Sequence, residues 1–124
     1  MLTLSIRQPW VWAILHGGKD IENRNWATKI RGKILIHAGK AFDKDDCDFV
    51  ERTSGLTVPN DLPLGGIVGS VEIVDCVKAS NSKWFFGEYG FVLKNTVELP
   101  FMPINGRLGF FDVDYYCWSG NIDK

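Results

Sequence analysis

The chain has 124 residues and a mass of 14.0 kDa, enough for one domain spanning 1–124 around a single core. With 45% hydrophobic and 23% charged residues and no low-complexity tract, it falls outside the disordered and fibrous classes. The net charge of -1 hides an asymmetry: residues 1–42 carry seven Lys or Arg against two acids (+5), and residues 43–124 carry seven against thirteen (-6). Such a division predicts an anion-facing side, or a mixed surface if the two halves interleave in the fold.

Thr3 to Ile6 alternate and predict a first strand. Pro9 suits the first turn of a helix, and Trp10 to Leu15 leave that helix, ending at His16, without a polar face, so it is buried or lines a pocket. Gly17-Gly18 supplies the left-handed stop. Ile21 to Trp26 can extend, Arg31-Gly32 turn, and Lys33 to His37 form a strand. Residues 43–53, acidic at the start and closed by Gly55, predict a surface helix, and Pro59 to Gly65 a loop.

Gly66 to Val77 is the longest strand signal, with Ile67, Gly69, Val71, Ile73 and Val77 expected on one face and Ser70, Glu72 and Val74 on the other. After the aromatic cluster Trp84-Phe85-Phe86 come strands at Tyr89 to Leu93 and, past the Asn105-Gly106-Arg107 turn, at Leu108 to Val113. Five or six short strands with two helices and no βαβ rhythm predict an α+β fold built on a closed or half-open antiparallel barrel.

Cys47, Cys76 and Cys117 lie 29 and 41 residues apart, a spacing that signals neither a disulfide framework nor a zinc site, so reduced thiols are expected. His16 and His37 stand alone, and neither metal nor cofactor is expected. MLTLSIRQPW has no basic leader or cleavage site, and no apolar window reaches bilayer length; a cytoplasmic protein without a membrane partner is expected.

The chemistry concentrates just after the first helix, in GGKDIENR at residues 17–24. Lys19 follows the helix end, where unpaired carbonyls favour a cation, and Glu22 and Arg24 would share one strand face as an ion pair. Lys19 and Glu22 converge only if the backbone turns between them, which Gly17-Gly18 permits. Converged, Arg24 could clamp a phosphate or carbonyl, Lys19 supply a point charge and Glu22 accept a proton or an exocyclic amine. Trp10, Trp26 and Trp84 are either core residues or flat surfaces on which bases stack. Arg7 and Lys40 would assist at the rim.

The spacing Gly17-x-Lys19-x-x-Glu22-x-Arg24 resembles the GxKxxExR signature of the ASCH domain family. Ser5-Ile-Arg-Gln-Pro-Trp10, Lys33-Ile-Leu-Ile-His-Ala38, Gly66-x-x-Gly69, Trp84-Phe-Phe-Gly87 and Gly106-Arg-Leu-Gly109 are also similar to stretches of bacterial and phage-borne members. The resemblance implies a PUA-like fold, with a small antiparallel or mixed β-barrel, and a cleft beside the first helix floored by Lys19, Glu22 and Arg24. It also implies recognition of RNA or a modified nucleoside, and adds Gln8, His37 and Arg107 to the candidate binding residues.

Some small relatives remove the acetyl group of N4-acetylcytidine with a lysine, a threonine three residues on and a later glutamate. Here Lys19 matches the lysine, Glu22 stands where the threonine would be, and Glu72 is the candidate for the later acid. Ribonuclease activity also occurs in the family. Three functions are therefore in play: a nucleic-acid or nucleoside binder first, a hydrolase using Lys19 and Glu22 second, and a protein-interaction module using exposed aromatics at 84–91 third.

Overall fold

The computed structural model describes residues 1–115. Six strands and two helices follow in the order β1 (Leu2–Gln8), α1 (Trp10–His16), β2 (Ile21–Arg24), β3 (Gly32–Phe42), α2 (Lys44–Ser54), β4 (Gly66–Val77), β5 (Tyr89–Pro103) and β6 (Phe110–Asp112). They form one sheet ordered β2-β5-β4-β3-β1-β6. β1 and β3 run parallel, and the other neighbours are antiparallel. The class is α+β, as expected, but the sheet is mixed and unclosed.

Side chains do what backbone ladders do not. Trp26, just past the β2 edge, sets its ring edge-on to Phe91 of β5 at 5.3 Å and to Phe110 of β6 at 5.6 Å, and Phe91 and Phe110 stack at 6.2 Å. The sheet therefore curls until its two ends meet through three aromatic rings. Trp26 acts as core packing and, as described below, as a wall of the cleft.

The main core lies inside the curl and includes Leu4, Ile6, Val11, Ile14, Ile36, Val71 and Phe91. A second cluster joins the helices through Ala13, Val50 and Trp84. α2 is capped as its sequence requires: the Asp43 carboxylate accepts from Asp45 N–H at 2.9 Å, Asp45 and Asp46 occupy the first turn, and Gly55 closes the end at φ 77°. α1 ends at Gly17-Gly18 as expected, with the left-handed residue being the second glycine. Gly17 keeps a negative φ of -103°, and Gly18 takes the left-handed φ of 77°.

β4 departs from simple alternation. Its ladder with β5 shifts register between Ile67 and Gly69, Ser70 and Glu72, and Ile73 and Asp75. Val68, Val71 and Ile73 face the main core, while Ile67 turns to a third cluster with Leu35, Met102 and Phe111. Each shift offsets the two-residue period, so the expected face from Ile67 to Val77 is broken. β5 also runs ten residues beyond the expected Leu93, to Pro103. Asn95 takes a left-handed φ of 55° and donates to Glu72 Oε1 at 2.7 Å, so the chain bulges there and continues as one longer strand.

Cys47 and Cys76 are half-buried free thiols, and Cys117 lies outside the described residues. Burial and four acids, Glu51, Asp46, Asp48 and Asp43, push the Cys47 thiol above its ordinary range.

β4 packs without room at its start. A Cβ on Gly66 would stand 2.5 Å from the Met102 carbonyl oxygen and 2.5 Å from the Phe101 ring. Gly66→Ala is expected to cost about 1–3 kcal/mol, because backbone must move to relieve the clash. Urea unfolding should show a lower midpoint at an unchanged slope; an unaltered midpoint would show that the β4–β5 ladder is not rigid there.

Candidate functional site

The turn at Gly18 brings the chain back under α1. Gly17 N–H and Lys19 N–H both donate to the Ala13 carbonyl, at 2.9 and 3.0 Å, so the backbone doubles back and sends the Lys19 side chain inward. β2 then pairs with β5, with Glu22 opposite Phe91 and Arg24 opposite Tyr89. Lys19 and Glu22 are 3% and 7% exposed, and both line a cleft of about 480 Å³. That volume lies within the range typical of small-molecule sites, roughly 300–1,000 Å³.

The two cations have different partners. Lys19 Nζ sits over the Trp10 ring at 5.1 Å and the Trp84 ring at 5.6 Å. Among the described residues no carboxylate comes within ion-pair distance of it. The aromatic faces compensate part of the lost hydration. Burial still drives the Lys19 pKa below the ordinary 10.5; Glu22 and then Asp20 oppose the shift, and Arg24 adds to it. Arg24, by contrast, is committed to the protein. Its Nε donates to Glu22 Oε2 at 3.2 Å, Nη2 lies 3.0 Å from the same oxygen as an ion pair, and Nη2 donates to the Ser5 carbonyl at 3.0 Å. Arg24 thus ties β2 to β1 and orients Glu22, and its guanidinium lies 6.0 Å from the Trp26 ring.

Aromatic surface frames the charged floor. Trp10 anchors to α2 by donating from Nε1 to Asp46 Oδ2 at 3.0 Å. Phe86, 48% exposed, projects from the loop before β5 and meets Phe49 edge-on at 5.1 Å. Asn23 fixes that loop from both sides, donating to the Trp84 carbonyl at 2.9 Å and accepting from Phe86 N–H at 2.8 Å. Arg7 stands exposed at the rim.

Of the sequence candidates, Arg7, Trp10, Lys19, Glu22, Arg24 and Trp26 therefore line one cleft. Gln8, His37, Lys40, Glu72, Trp84 and Arg107 do not. Gln8 is buried and holds the chain around α1, accepting from Trp12 N–H at 3.0 Å and donating to the Pro63 carbonyl at 3.1 Å. His37 Nε2 donates to the Ile104 carbonyl at 2.7 Å, so Nδ1 accepts from the Ser5 hydroxyl at 2.9 Å; the ring pins the segment after β5 to the sheet. Glu72, on β4, is engaged by Asn95 of β5. Trp84 lies beneath Lys19, 1% exposed. Lys40 and Arg107 are exposed outside the cleft.

Ser5, Ile6, Asn23, Asn25 and Phe86 complete the lining; of these, Phe86 belonged to the aromatic cluster assigned to a protein-interaction surface, and none was a candidate for the cleft. Asn23 sits inside the signature as an unspecified position, and only its side-chain bonds to the loop around residue 85 reveal its use. Among the described residues no group of His, Cys, Asp and Glu could hold a metal ion.

An α+β sheet curled beside a short helix, with buried Lys19 and Glu22 and half-buried Arg24 after that helix, is the arrangement expected of a PUA-like domain of the ASCH type. The sequence model of the ASCH domain family matches residues 4–115, and the chain belongs to that family. It is 29% identical over 133 aligned residues to Activating signal cointegrator 1 of Homo sapiens, a match covering 94% of this chain and 23% of that protein. The Mus musculus protein of the same name matches with the same figures. The chain thus spans less than a quarter of the length of these relatives.

Lys19 makes the domain's stability pH-dependent in a defined direction. Between the lowered folded pKa and 10.5 the unfolded chain binds the extra proton, so raising the pH through that window stabilises the fold. Unfolding free energies of the wild type and Lys19→Met, measured from neutral pH upward, should diverge, with the wild type gaining on the variant. Parallel curves would mean that folding leaves the Lys19 proton affinity unchanged.

Proposed function

We propose that this chain binds RNA or a nucleoside in the cleft between α1, β2 and the Phe86 loop. The observation that carries the reading is a buried cation and carboxylate, Lys19 and Glu22, at the base of a nucleoside-sized hollow with Trp10, Trp26 and Phe86 around it. Aromatic faces take bases regardless of sequence, and a charged floor adds polar recognition. Arg7 and the +5 balance of residues 1–42 would follow the phosphate backbone. Family membership supports the reading through the RNA and nucleoside recognition that the ASCH resemblance implies. The free thiols Cys47 and Cys76 fit a reducing compartment such as the cytoplasm, and among the described residues no helix is long and apolar enough to cross a membrane.

Fluorescence anisotropy with a labelled single-stranded RNA tests the reading. Affinity should fall as salt rises. Lys19→Met and Phe86→Ala should each weaken binding about tenfold, the loss of about one stacked base or charged contact. Lys94→Ala, on exposed β5 surface away from the cleft, should leave it unchanged. Equal effects of all three would place binding elsewhere.

A second reading, hydrolysis of an N4-acylated cytidine, is favoured by the depressed Lys19 pKa beside a carboxylate. Glu22 would then take the proton of the attacking water, and Lys19 would stabilise the charge that develops on the carbonyl oxygen. Release of cytidine from N4-acetylcytidine, followed by chromatography, should drop by at least about a hundredfold in Lys19→Met; undiminished turnover in that variant would remove Lys19 from the chemistry.

A further inference from the structure

The hydrogen-bonding capacity left open in the cleft is asymmetric. Both Arg24 nitrogens that reach Glu22 end on Oε2, and no hydrogen bond from the described residues ends on Oε1. Lys19 Nζ faces tryptophan rings, which attract its charge without using its N–H groups as carbonyls would. Both side chains are more than nine-tenths buried and both reach the cleft. Neither Lys19 Nζ nor Glu22 Oε1 is among the fully buried side-chain atoms left without a hydrogen bond, so both open onto the cleft, where a ligand can partner them. One free acceptor therefore stands with one free donor group on the same floor.

We propose that Lys19 and Glu22 read the edge of a nucleobase, requiring of the ligand a hydrogen-bond acceptor beside an N–H donor, and that this floor does not take phosphate. The proposal rests on the reading that the cleft binds RNA or a nucleoside, and specifies which part of the ligand enters. A phosphate brings acceptors only. It would satisfy Nζ but set its charge against the Glu22 carboxylate, and the Arg24 groups nearest that carboxylate are spent on Glu22 and the Ser5 carbonyl. A base edge matches both needs: the carbonyl and ring N–H of uracil or guanine, or the ring nitrogen and amino group of cytosine or adenine. The ring would lie against Phe86 or Trp26, leaving phosphate to Arg7 at the rim.

The test changes the ligand and leaves the protein intact. Binding of uridine, 3-methyluridine, a five-residue uridine RNA and the same RNA methylated at every N3 is followed by tryptophan fluorescence, with inorganic phosphate as competitor. Methylation removes the only N–H of the uracil ring. It should weaken binding about tenfold, the effect of one buried hydrogen bond to a charged acceptor, and phosphate should not displace uridine. Loss on methylation in both ligands supports a free-nucleoside site; loss in the RNA alone, with uridine not binding, supports the same edge reading on a base within a strand. Equal affinity for methylated and unmethylated ligands, or displacement of uridine by phosphate, overturns the edge reading while leaving nucleoside or RNA binding in place. No binding of either ligand overturns both. Glu22→Gln adds an independent arm: Arg24 keeps the amide oxygen, the amide N–H groups face the ligand, and the penalty for N3 methylation should disappear. A persisting penalty in that variant would mean that Glu22 is not the acceptor.

Discussion

The site depends on keeping one ammonium group out of water. Lys19 loses most of its hydration and receives in exchange two tryptophan faces and a carboxylate nearby, so its charge is held at a cost that the second core, between α1 and α2, must sustain. Trp84 is at once a core residue of that cluster and one wall of the lysine's box. Stability and ligand chemistry are therefore joined in the same few side chains.

Arg24 shows how a neighbouring cation can serve a different end. By placing two nitrogens on one Glu22 oxygen and a hydrogen bond on the Ser5 carbonyl, it orients the carboxylate and bridges β2, at one end of the sheet order, to β1, next to the other end. Trp26 makes the same connection with apolar surface, contacting Phe91 and Phe110. Without a backbone ladder between β2 and β6, these polar and aromatic links close the curl, and the cleft lies beside them. An open sheet ending in charged and aromatic side chains leaves room for a ligand that a continuous ladder would fill.

Much of this was legible along the chain. Pro9, the apolar run to Leu15 and Gly17-Gly18 marked α1; Asp43 and Gly55 marked α2; and the spacing of Lys19, Glu22 and Arg24 marked the center of the cleft. These signals are local, since caps, turns and periodicity act within a few residues. Glu72 looked like a possible acid, yet the bulge at Asn95 supplies it with a partner from β5. His37 looked like a possible ligand, yet a carbonyl 67 residues away takes one ring nitrogen. Phe86 read as one of the exposed aromatics at 84–91 rather than as part of the cleft, because its position is set by Asn23, 63 residues earlier.

The sequence by itself determined which segments become helices and strands, where the two helices stop, and which ionisable groups stand close together along the chain, whereas β5 runs on to Pro103 beyond its local signal. Tertiary structure alone decided that Lys19 is desolvated between Trp10 and Trp84, that Arg24 serves Glu22 rather than the solvent, and that the sheet stays unclosed. The physical reason is range. Backbone conformation answers to neighbouring residues, whereas desolvation and the choice of an ion's partner depend on atoms that distant segments bring to the same place.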